Sequence, residues 1–511
     1  MDIAHQVREI EAQVGRLSPV QKILLGTDGS VTQLLESITG SEIAVKTRVQ
    51  EIVPADRIIA ERLLVDIGEL VNYRIVDLAD KATGQVLIHA CSHTPIARLS
   101  PDFKDDLMKA DIPIGRIIKH HKIEARREIL NTRVSPASSD AGGIFSICSH
   151  EPLLSRQYRI IHGGSPLIFI EEQFPYNRFL DERRVIVKTP SRIHVTLIDM
   201  HGGSGRVDGG VGIALEEPGI LLEVRQNPVL AVTGGDSVIR DQITGIARHV
   251  LEKIPAGGGV AITVRQNVPS HVGLGSGSQL ALAVARAVCE CYGSTLPVQA
   301  LALLVGRGGT SGIGTAAFEQ GGFIIDGGHR FGKGCGEKSE FRPSRASRGV
   351  RPPPVIARHE FPADWCILLA MPNLPPGASG GNESDIFRTH CPVPLSEVQA
   401  LCHEVLMRML PGIAERDLDL FGSSINAVQH LGFKKVELSL QPEEIPLLME
   451  NLRSSGAAGA GMSSFGPTVY AISDTGMRGI EQAAQSCMDS YGGGTTLITS
   501  ARNSGAVVRI A

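Results

Sequence analysis

Aromatic side chains are scarce: one Trp, six Tyr and fourteen Phe make up 4% of 511 residues. That excludes an interleaved aromatic platform for stacking single-stranded nucleic acid. Neither sign of charge dominates, with 50 Lys and Arg against 54 Asp and Glu and a net charge of −4. No whole-protein field therefore draws DNA, RNA or an anionic membrane to the surface. No run approaches the ~18 apolar residues of a membrane helix, and residues 1–15 mix both charges without the apolar stretch of a secretory signal. The nine cysteines include no C-x-x-C pair, which argues against a disulfide scaffold and makes a reducing cytoplasm the expected compartment. No internal repeat is present. What remains is a cytoplasmic enzyme of two or three compact units.

Glycine is abundant, at 57 residues, and it is clustered rather than periodic, so a collagen-like chain is excluded. Ile3, Val7, Ile10, Val14 and Leu17 form one helical stripe. Ser30 is placed to cap a second helix that stops at Gly40. From Ile43 to Cys91 the pattern is strand-like, with hairpin connections expected at residues 80–84 and 162–165. These features predict an α+β fold whose N-terminal domain, residues 1–177, is built on an antiparallel sheet. Residues 178–184 are polar and without period and are expected to link it to a second domain, 185–511.

The second domain carries Val268-Pro269-Ser270-His271-Val272-Gly273-Leu274-Gly275-Ser276-Gly277-Ser278 between an apolar strand and a small-residue helix. A strand, a glycine loop and a helix start turn backbone N–H groups and the positive helix end toward one point, which suits phosphate or pyrophosphate. No Lys-Ser or Lys-Thr follows, so this is not a P-loop. The arginine-rich stretch between His329 and His359 reads either as a solvated face or as a lid over an anion.

Pro269-x-x-x-Gly273-Leu274-Gly275-Ser276-Gly277 resembles the phosphate loop of the superfamily of galactokinase, homoserine, mevalonate and phosphomevalonate kinases. Ser463-Ser464-Phe465-Gly466-Pro467-Thr468 is similar to that superfamily's third motif, and Thr189-Pro190-Ser191-Arg192-Ile193-His194 to its opening strand. The resemblance implies a two-lobed GHMP kinase-like fold. Where mevalonate-type kinases carry a catalytic Asp, Gly309-Thr310-Ser311-Gly312-Ile313-Gly314 presents Gly314, which has no group to accept a hydroxyl proton.

One non-kinase branch fits better. Ser191-Arg192-Ile193-His194-Val195-Thr196-Leu197-Ile198-Asp199, Gly205-Arg206-Val207-Asp208-Gly209-Gly210-Val211-Gly212 and Ala317-Phe318-Glu319-Gln320-Gly321-Gly322-Phe323-Ile324-Ile325-Asp326-Gly327-Gly328-His329 resemble β-ribofuranosylaminobenzene 5′-phosphate synthase, a methanopterin-pathway family. That family joins phosphoribosyl pyrophosphate to a 4-substituted benzoate, releasing carbon dioxide and pyrophosphate. The resemblance implies phosphate binding by Gly273, Leu274, Gly275, Ser276, Gly277 and Ser278, with Ser311 and Gly312 beside them. Arg192, His194, Asp199 and Asp208 are the candidate catalytic residues, and Arg206 a candidate substrate clamp. Glu319 and Asp326 rank lower. Mg²⁺ is the expected cofactor, ATP is not expected, and a homodimer is. The rival reading is an ATP-dependent small-molecule kinase.

In the first domain Tyr73-Arg74, Pro113-Ile114-Gly115-Arg116, Leu154-Ser155-Arg156-Gln157-Tyr158-Arg159-Ile160 and Ile170-Glu171-Glu172-Gln173-Phe174-Pro175 resemble archaeal chorismate pyruvate-lyase. That family eliminates pyruvate from chorismate to leave 4-hydroxybenzoate. The resemblance implies Arg74 as a carboxylate clamp, Glu172 as the acidic partner (Glu171 if the register slips by one) and Gly115 close to substrate. The same fold also serves as a non-catalytic aromatic-acid sensor. His89, Cys91 and His93 alternate on one strand, a spacing that suits zinc or ordinary packing; His120 and His121 read as a surface turn. Whether the benzoate is 4-hydroxybenzoate or 4-aminobenzoate stays open.

Overall fold

The computed structural model describes residues 2–109, 112–270, 272–332, 334, 337–343, 346–347, 349–374 and 381–511. Three helices open the chain: α1 (Ile3–Val14), α2 (Pro19–Gly26) and α3 (Val31–Thr39). The helix α2 has no long stripe to announce it. It starts on a capping box in which Ser18 Oγ accepts from Gln21 N and Gln21 Oε1 accepts from Ser18 N. Ser30 does precede α3, and Gly40 ends it in a left-handed conformation, but the Ser30 side chain makes no cap hydrogen bond.

Next come β1 (Ile43–Pro54), α4 (Arg57–Leu63), β2 (Leu70–Asp80), β3 (Val86–Pro95), α5 (Pro101–Met108) and α6 (Ile114–His120). They are followed by β4 (Arg126–Pro136), α7 (Ser139–Phe145), β5 (Pro152–His162) and β6 (Ser165–Pro175). The six strands form one antiparallel sheet in the order β1-β2-β3-β6-β5-β4, with hairpins β2–β3 and β5–β6 where the turn residues predict them.

The second half opens with β7 (Val185–Asp199), β8 (Arg206–Asn227), β9 (Ala231–Thr233), α8 (Ser237–Leu251), β10 (Gly259–Gln266) and α9 (Ser276–Cys291). It continues through α10 (Val298–Leu304), α11 (Ile313–Glu319), β11 (Phe323–Asp326), β12 (His329–Arg330), β13 (Val355–His359), β14 (Cys366–Pro372) and α12 (Gly381–His390). An eight-stranded sheet runs β13-β11-β8-β10-β9, with β7 and β12 also paired to β8. A four-stranded sheet containing β14 forms the other lobe, covered by the C-terminal helices. The last strand, Val507–Ile510, returns to pair with the start of β7. Among the described residues no helix is long and apolar enough to cross a membrane.

The stretch between the halves is packed. Tyr176 is fully buried and Phe179 nearly so, and one apolar cluster runs from Val7 and Leu24 through both of them to Val185 and Val288. Tyr176 donates to Arg16 O at 3.1 Å, and its carbonyl accepts from Gln21 Nε2. Polarity at 181–184 marks only the short exposed part of the crossing. Truncating Tyr176 to Ala empties this junction, and a loss of about 3–5 kcal/mol is expected, read as a lower urea midpoint.

Candidate functional site

Two cavities gather most of the expected residues. The first lies on the inner face of the N-terminal sheet and encloses about 570 Å³, its mouth included. Strand alternation puts Arg74 of β2, Ser92 of β3, Tyr158 of β5 and Glu172 of β6 on its wall, and α6 contributes Gly115. Arg74 is 1% exposed; its Nη1 donates to Ile112 O at 3.0 Å and its Nη2 to Thr47 Oγ1 at 3.3 Å. Glu172 is held by Arg156 Nε at 2.7 Å and by Tyr158 OH at 3.0 Å. Burial and the Glu172 charge push the Tyr158 phenol up, so it stays a donor. Glu171 points to the other face, where Arg133 and Gln157 take it at 3.0 Å each. Register thus decides between the two carboxylates in favour of Glu172. A side chain at Gly115 would meet Ser30 Oγ at 3.1 Å, which keeps this wall close. Arg156 and Tyr158 stand in the string Leu154–Ile160 that carries the resemblance, but were given no role, and Arg127 was not singled out from the sequence.

Of the two readings of His89, Cys91 and His93, the structure supports ordinary packing: among the described residues they do not group as metal ligands. His89 Nδ1 pairs with Asp77 at 2.8 Å, and His93 stacks between Tyr73 and Phe169, so ordinary side-chain contacts engage them. The His120–His121 turn instead meets Asp106, which also pairs with Lys109 at 2.7 Å.

The second cavity, about 1100 Å³ with its mouth, lies against the N-terminus of α9. Gly273, Gly275, Ser276, Gly277 and Ser278 line it, as do Arg192, His194 and Ser311. Leu274 does not: it is 1% exposed and anchors the loop in the core. Gly273 and Gly275 have φ of +91° and +75°, and a Cβ on Gly273 would run into the Ser463 carbonyl; the loop needs glycine at both places. His271 lies outside the described residues. Gly312 sits behind the wall, its N–H bonded to Asp326 Oδ2 at 2.9 Å.

Electrostatics favour an anion here. Arg192 donates to Gly273 O, and burial pulls its pKa down to about 10 against the opposing charge of Glu437. Lys434, fully buried behind the wall, pairs with Glu437 and donates to Met462 O and Ser464 O at 3.2 and 3.1 Å. Arg307 faces Gly277 from the opposite side, its Nη2 3.5 Å from where a Cβ would stand. Three cations thus meet two carboxylates, Glu437 and Glu383, at the positive end of α9. Phe387 and Phe465 supply an aromatic wall. Arg307 heads the string Arg307–Gly314, which also resembles the synthase family, but it was given no role; Lys434, Glu437 and Glu383 belong to no string that the sequence singled out.

Beside Leu274 and Gly312, three more expected residues do not line the cavity. Asp199 caps a turn, accepting from His201 N at 2.8 Å, Gly202 N at 2.9 Å and Ser204 Oγ at 3.2 Å. Arg206 ties down the next loop through Gly327 O and Gly328 O at 2.8 and 2.6 Å. Asp208, 1% exposed with φ +70°, binds His329 Nδ1 at 2.7 Å and Lys338 Nζ at 2.9 Å. Glu319 bonds Gln299 at 2.7 Å, away from the site. Asp326 moves up in rank, being 0% exposed and 3.5 Å from Ser311 Oγ. In the arginine-rich stretch Arg330, Arg342 and Arg351 are exposed while Lys338 and Ser347 are buried, and Thr310 Oγ1 donates to Arg342 O at 2.6 Å. Lys333, Cys335, Gly336, Ser344, Arg345 and Arg348 lie outside the described residues.

Comparison with known proteins follows the same division. The family models for chorismate pyruvate-lyase Rv2949c-like proteins, the GHMP kinases N-terminal domain and the GHMP kinases C-terminal domain match residues 25–180, 241–322 and 409–487. The chain is 46% identical over 333 residues to β-ribofuranosylphenol 5′-phosphate synthase of Methanocaldococcus jannaschii, which covers 63% of this chain and 99% of that protein. It is 44% identical over 329 residues to the synthase of the same name from Methanothermobacter thermautotrophicus, 63% of this chain and 98% of that one. The chorismate pyruvate-lyase of Mycobacterium leprae is 27% identical over 174 residues, 34% of this chain and 81% of the relative. Among solved structures, homoserine kinase from Cytophaga hutchinsonii aligns over 64% of this chain and 97% of its own, at 17% identity and a TM-score of 0.45. The chain belongs to the β-ribofuranosylphenol 5′-phosphate synthase family of enzymes and carries a chorismate pyruvate-lyase-like domain ahead of the synthase part.

Proposed function

We propose that the second half condenses phosphoribosyl pyrophosphate with 4-hydroxybenzoate, releasing carbon dioxide and pyrophosphate, and that the first half makes that benzoate and pyruvate from chorismate. One observation carries the transferase reading: a phosphate cradle with glycine where the kinases place their catalytic Asp. Gly314 lies on α11 facing Ser278, whose Cβ is 3.2 Å from where a side chain at 314 would begin. An Asp there would reach the cradle; glycine puts no carboxylate at that point.

The cradle amides, Arg192 and Arg307 hold the diphosphate, and their charge favours its departure from the sugar. The wall of Phe387 and Phe465 excludes water from the oxocarbenium-like carbon and receives the flat ring. The hydroxy acid is preferred over 4-aminobenzoate because the relatives are named for the phenol and because the first half's product is a phenol. A divalent cation fits the donor set. Mg²⁺ prefers one or two carboxylates plus substrate phosphates, and Glu383 and Glu437 both line the cavity. When bound, the ion would neutralise charge on the leaving diphosphate.

In the first cavity Arg74 and Arg127 meet the carboxylates of chorismate, and Glu172 is aligned by Arg156 and Tyr158 beside the ring. Incubation with chorismate, phosphoribosyl pyrophosphate and Mg²⁺ is expected to yield pyruvate, pyrophosphate and carbon dioxide. Consumption of ATP with an alcohol and no pyrophosphate release would favour the kinase instead. Binding of 4-hydroxybenzoate by the first half without turnover of chorismate would favour the sensor.

A further inference from the structure

Resting on that transferase reading, we propose that Asp326 takes up the phenol proton of the benzoate through Ser311 and His194, and returns it once carbon dioxide has left. His194 is 5% exposed and lines the cavity. Its Nε2 lies 3.0 Å from Ser311 Oγ, while Nδ1 is buried without a partner. With Nε2 committed, Nδ1 is the nitrogen left for a ligand. The imidazole is a poor place for a proton to stay. Burial, then the charges of Arg192 and Lys434, hold its pKa well below the usual value. A base that cannot charge must pass the proton on.

Ser311 offers the exit. Its Oγ stands 3.5 Å from Asp326 Oδ2. Asp326 is the carboxyl suited to titrate near neutrality, since burial pushes it up to about 7 against the amides of Gly312 and Gly328. Asp208 raises it further, whereas His329 lowers it. On the far side Arg192 and Lys434, the latter paired with Glu437, keep the imidazole neutral. The contact is also protected by shape. A Cβ on Gly210 would sit 2.7 Å from both Asp326 Oδ2 and Ser311 Oγ, so only glycine at 210 leaves the two oxygens room to meet. The carboxylate is joined to the serine and not to the histidine, so this is not a nucleophile-activating triad.

The protons balance. As the carboxyl-bearing ring carbon bonds to the sugar and pyrophosphate departs, the phenol O–H breaks and its electron pair enters the ring, giving a neutral dienone. The proton goes to Nδ1, the Nε2 proton to Ser311 Oγ, and the serine proton to Asp326. The imidazole ends neutral as the other tautomer. Carbon dioxide then leaves its bonding pair in the ring, which becomes a phenolate, and the relay runs backwards.

The test compares an acid that needs the relay with one that does not. Asp326→Asn keeps an acceptor for only one of the Gly312 and Gly328 amides and turns its NH2 toward the other; Ser311→Ala leaves Asp326 itself intact and carries the same test if the first variant does not fold. With 4-hydroxybenzoate at pH 7, kcat is expected to fall about 100-fold, with KM for phosphoribosyl pyrophosphate unchanged. With 3,5-difluoro-4-hydroxybenzoate, which enters already ionised, the loss should shrink to less than about fivefold. The same convergence is expected with 4-hydroxybenzoate as pH rises toward the phenol's own pKa of about 10. Equal losses on both acids and at both pH values overturn the relay alone. No pyrophosphate from the wild type with either acid overturns the transferase reading and the relay with it.

Discussion

Gly277→Asp is expected to silence pyrophosphate release while making the protein slightly more stable. Gly277 is in the first turn of α9, which has no acidic residue there and no side-chain cap. The space beside it is open; the nearest groups to a new Cβ are the Arg307 guanidinium nitrogens, from 3.5 Å. A carboxylate at this point would pair with Arg307 and sit at the positive helix end, a gain of about 0.3–1 kcal/mol. It would also occupy the place proposed for the diphosphate and repel it. The expected result is a fall of about 1,000-fold in kcat/KM for phosphoribosyl pyrophosphate, close to 4 kcal/mol, with Tm unchanged or raised by about 1–2 °C. Activity within about tenfold of the parent would place the diphosphate elsewhere. The opposite signs matter, because Gly273→Ala, which drives a Cβ into the Ser463 carbonyl, would lose activity merely by deforming the loop.

The contrast between these two glycines shows what the sequence made legible. Local chemistry was readable: the loop before α9, the hairpins of the first sheet, the helix stripe of Val7, Ile10 and Val14. Arg192 and His194 were readable through the resemblance of the string Thr189–His194. Partnership was not. Asp208 shares a glycine-rich string with Gly210, yet the backbone turn at φ +70° buries it against His329 and Lys338, and Lys338 comes from 130 residues away. Asp326 shares its string with Glu319, and only the pairing of β11 with β8, which sets Asp326 opposite Gly210, brings it under Ser311. Lys434 and Glu437 stand three positions apart on an unremarkable helix, Gly432–Ser439, until the fold sets them against Arg192. Charges that meet across a fold leave no spacing to read.

Glu172→Gln gives the largest effect expected in the first half. The substitution keeps the shape and one acceptor for Arg156 Nε, which sits 2.7 Å away, but removes the negative charge. Arg156 is 1% exposed, so deleting the side chain altogether would strand a buried cation at a cost of about 3–5 kcal/mol, and activity lost that way would carry no information. Gln avoids most of that penalty. Pyruvate formation from chorismate is expected to drop about 100-fold or more, because no carboxylate remains beside the ring to steer the leaving enolpyruvyl group and the proton. Arg74→Ala should instead act on binding, raising KM for chorismate, since Arg74 lines the first cavity, where it is proposed to meet a carboxylate. In both variants pyrophosphate release from externally supplied 4-hydroxybenzoate should be unchanged, because the second cavity shares no lining residue with the first. Loss of both activities together would mean that the packed junction at Tyr176 transmits the damage, and that the two sites are coupled through the core they share.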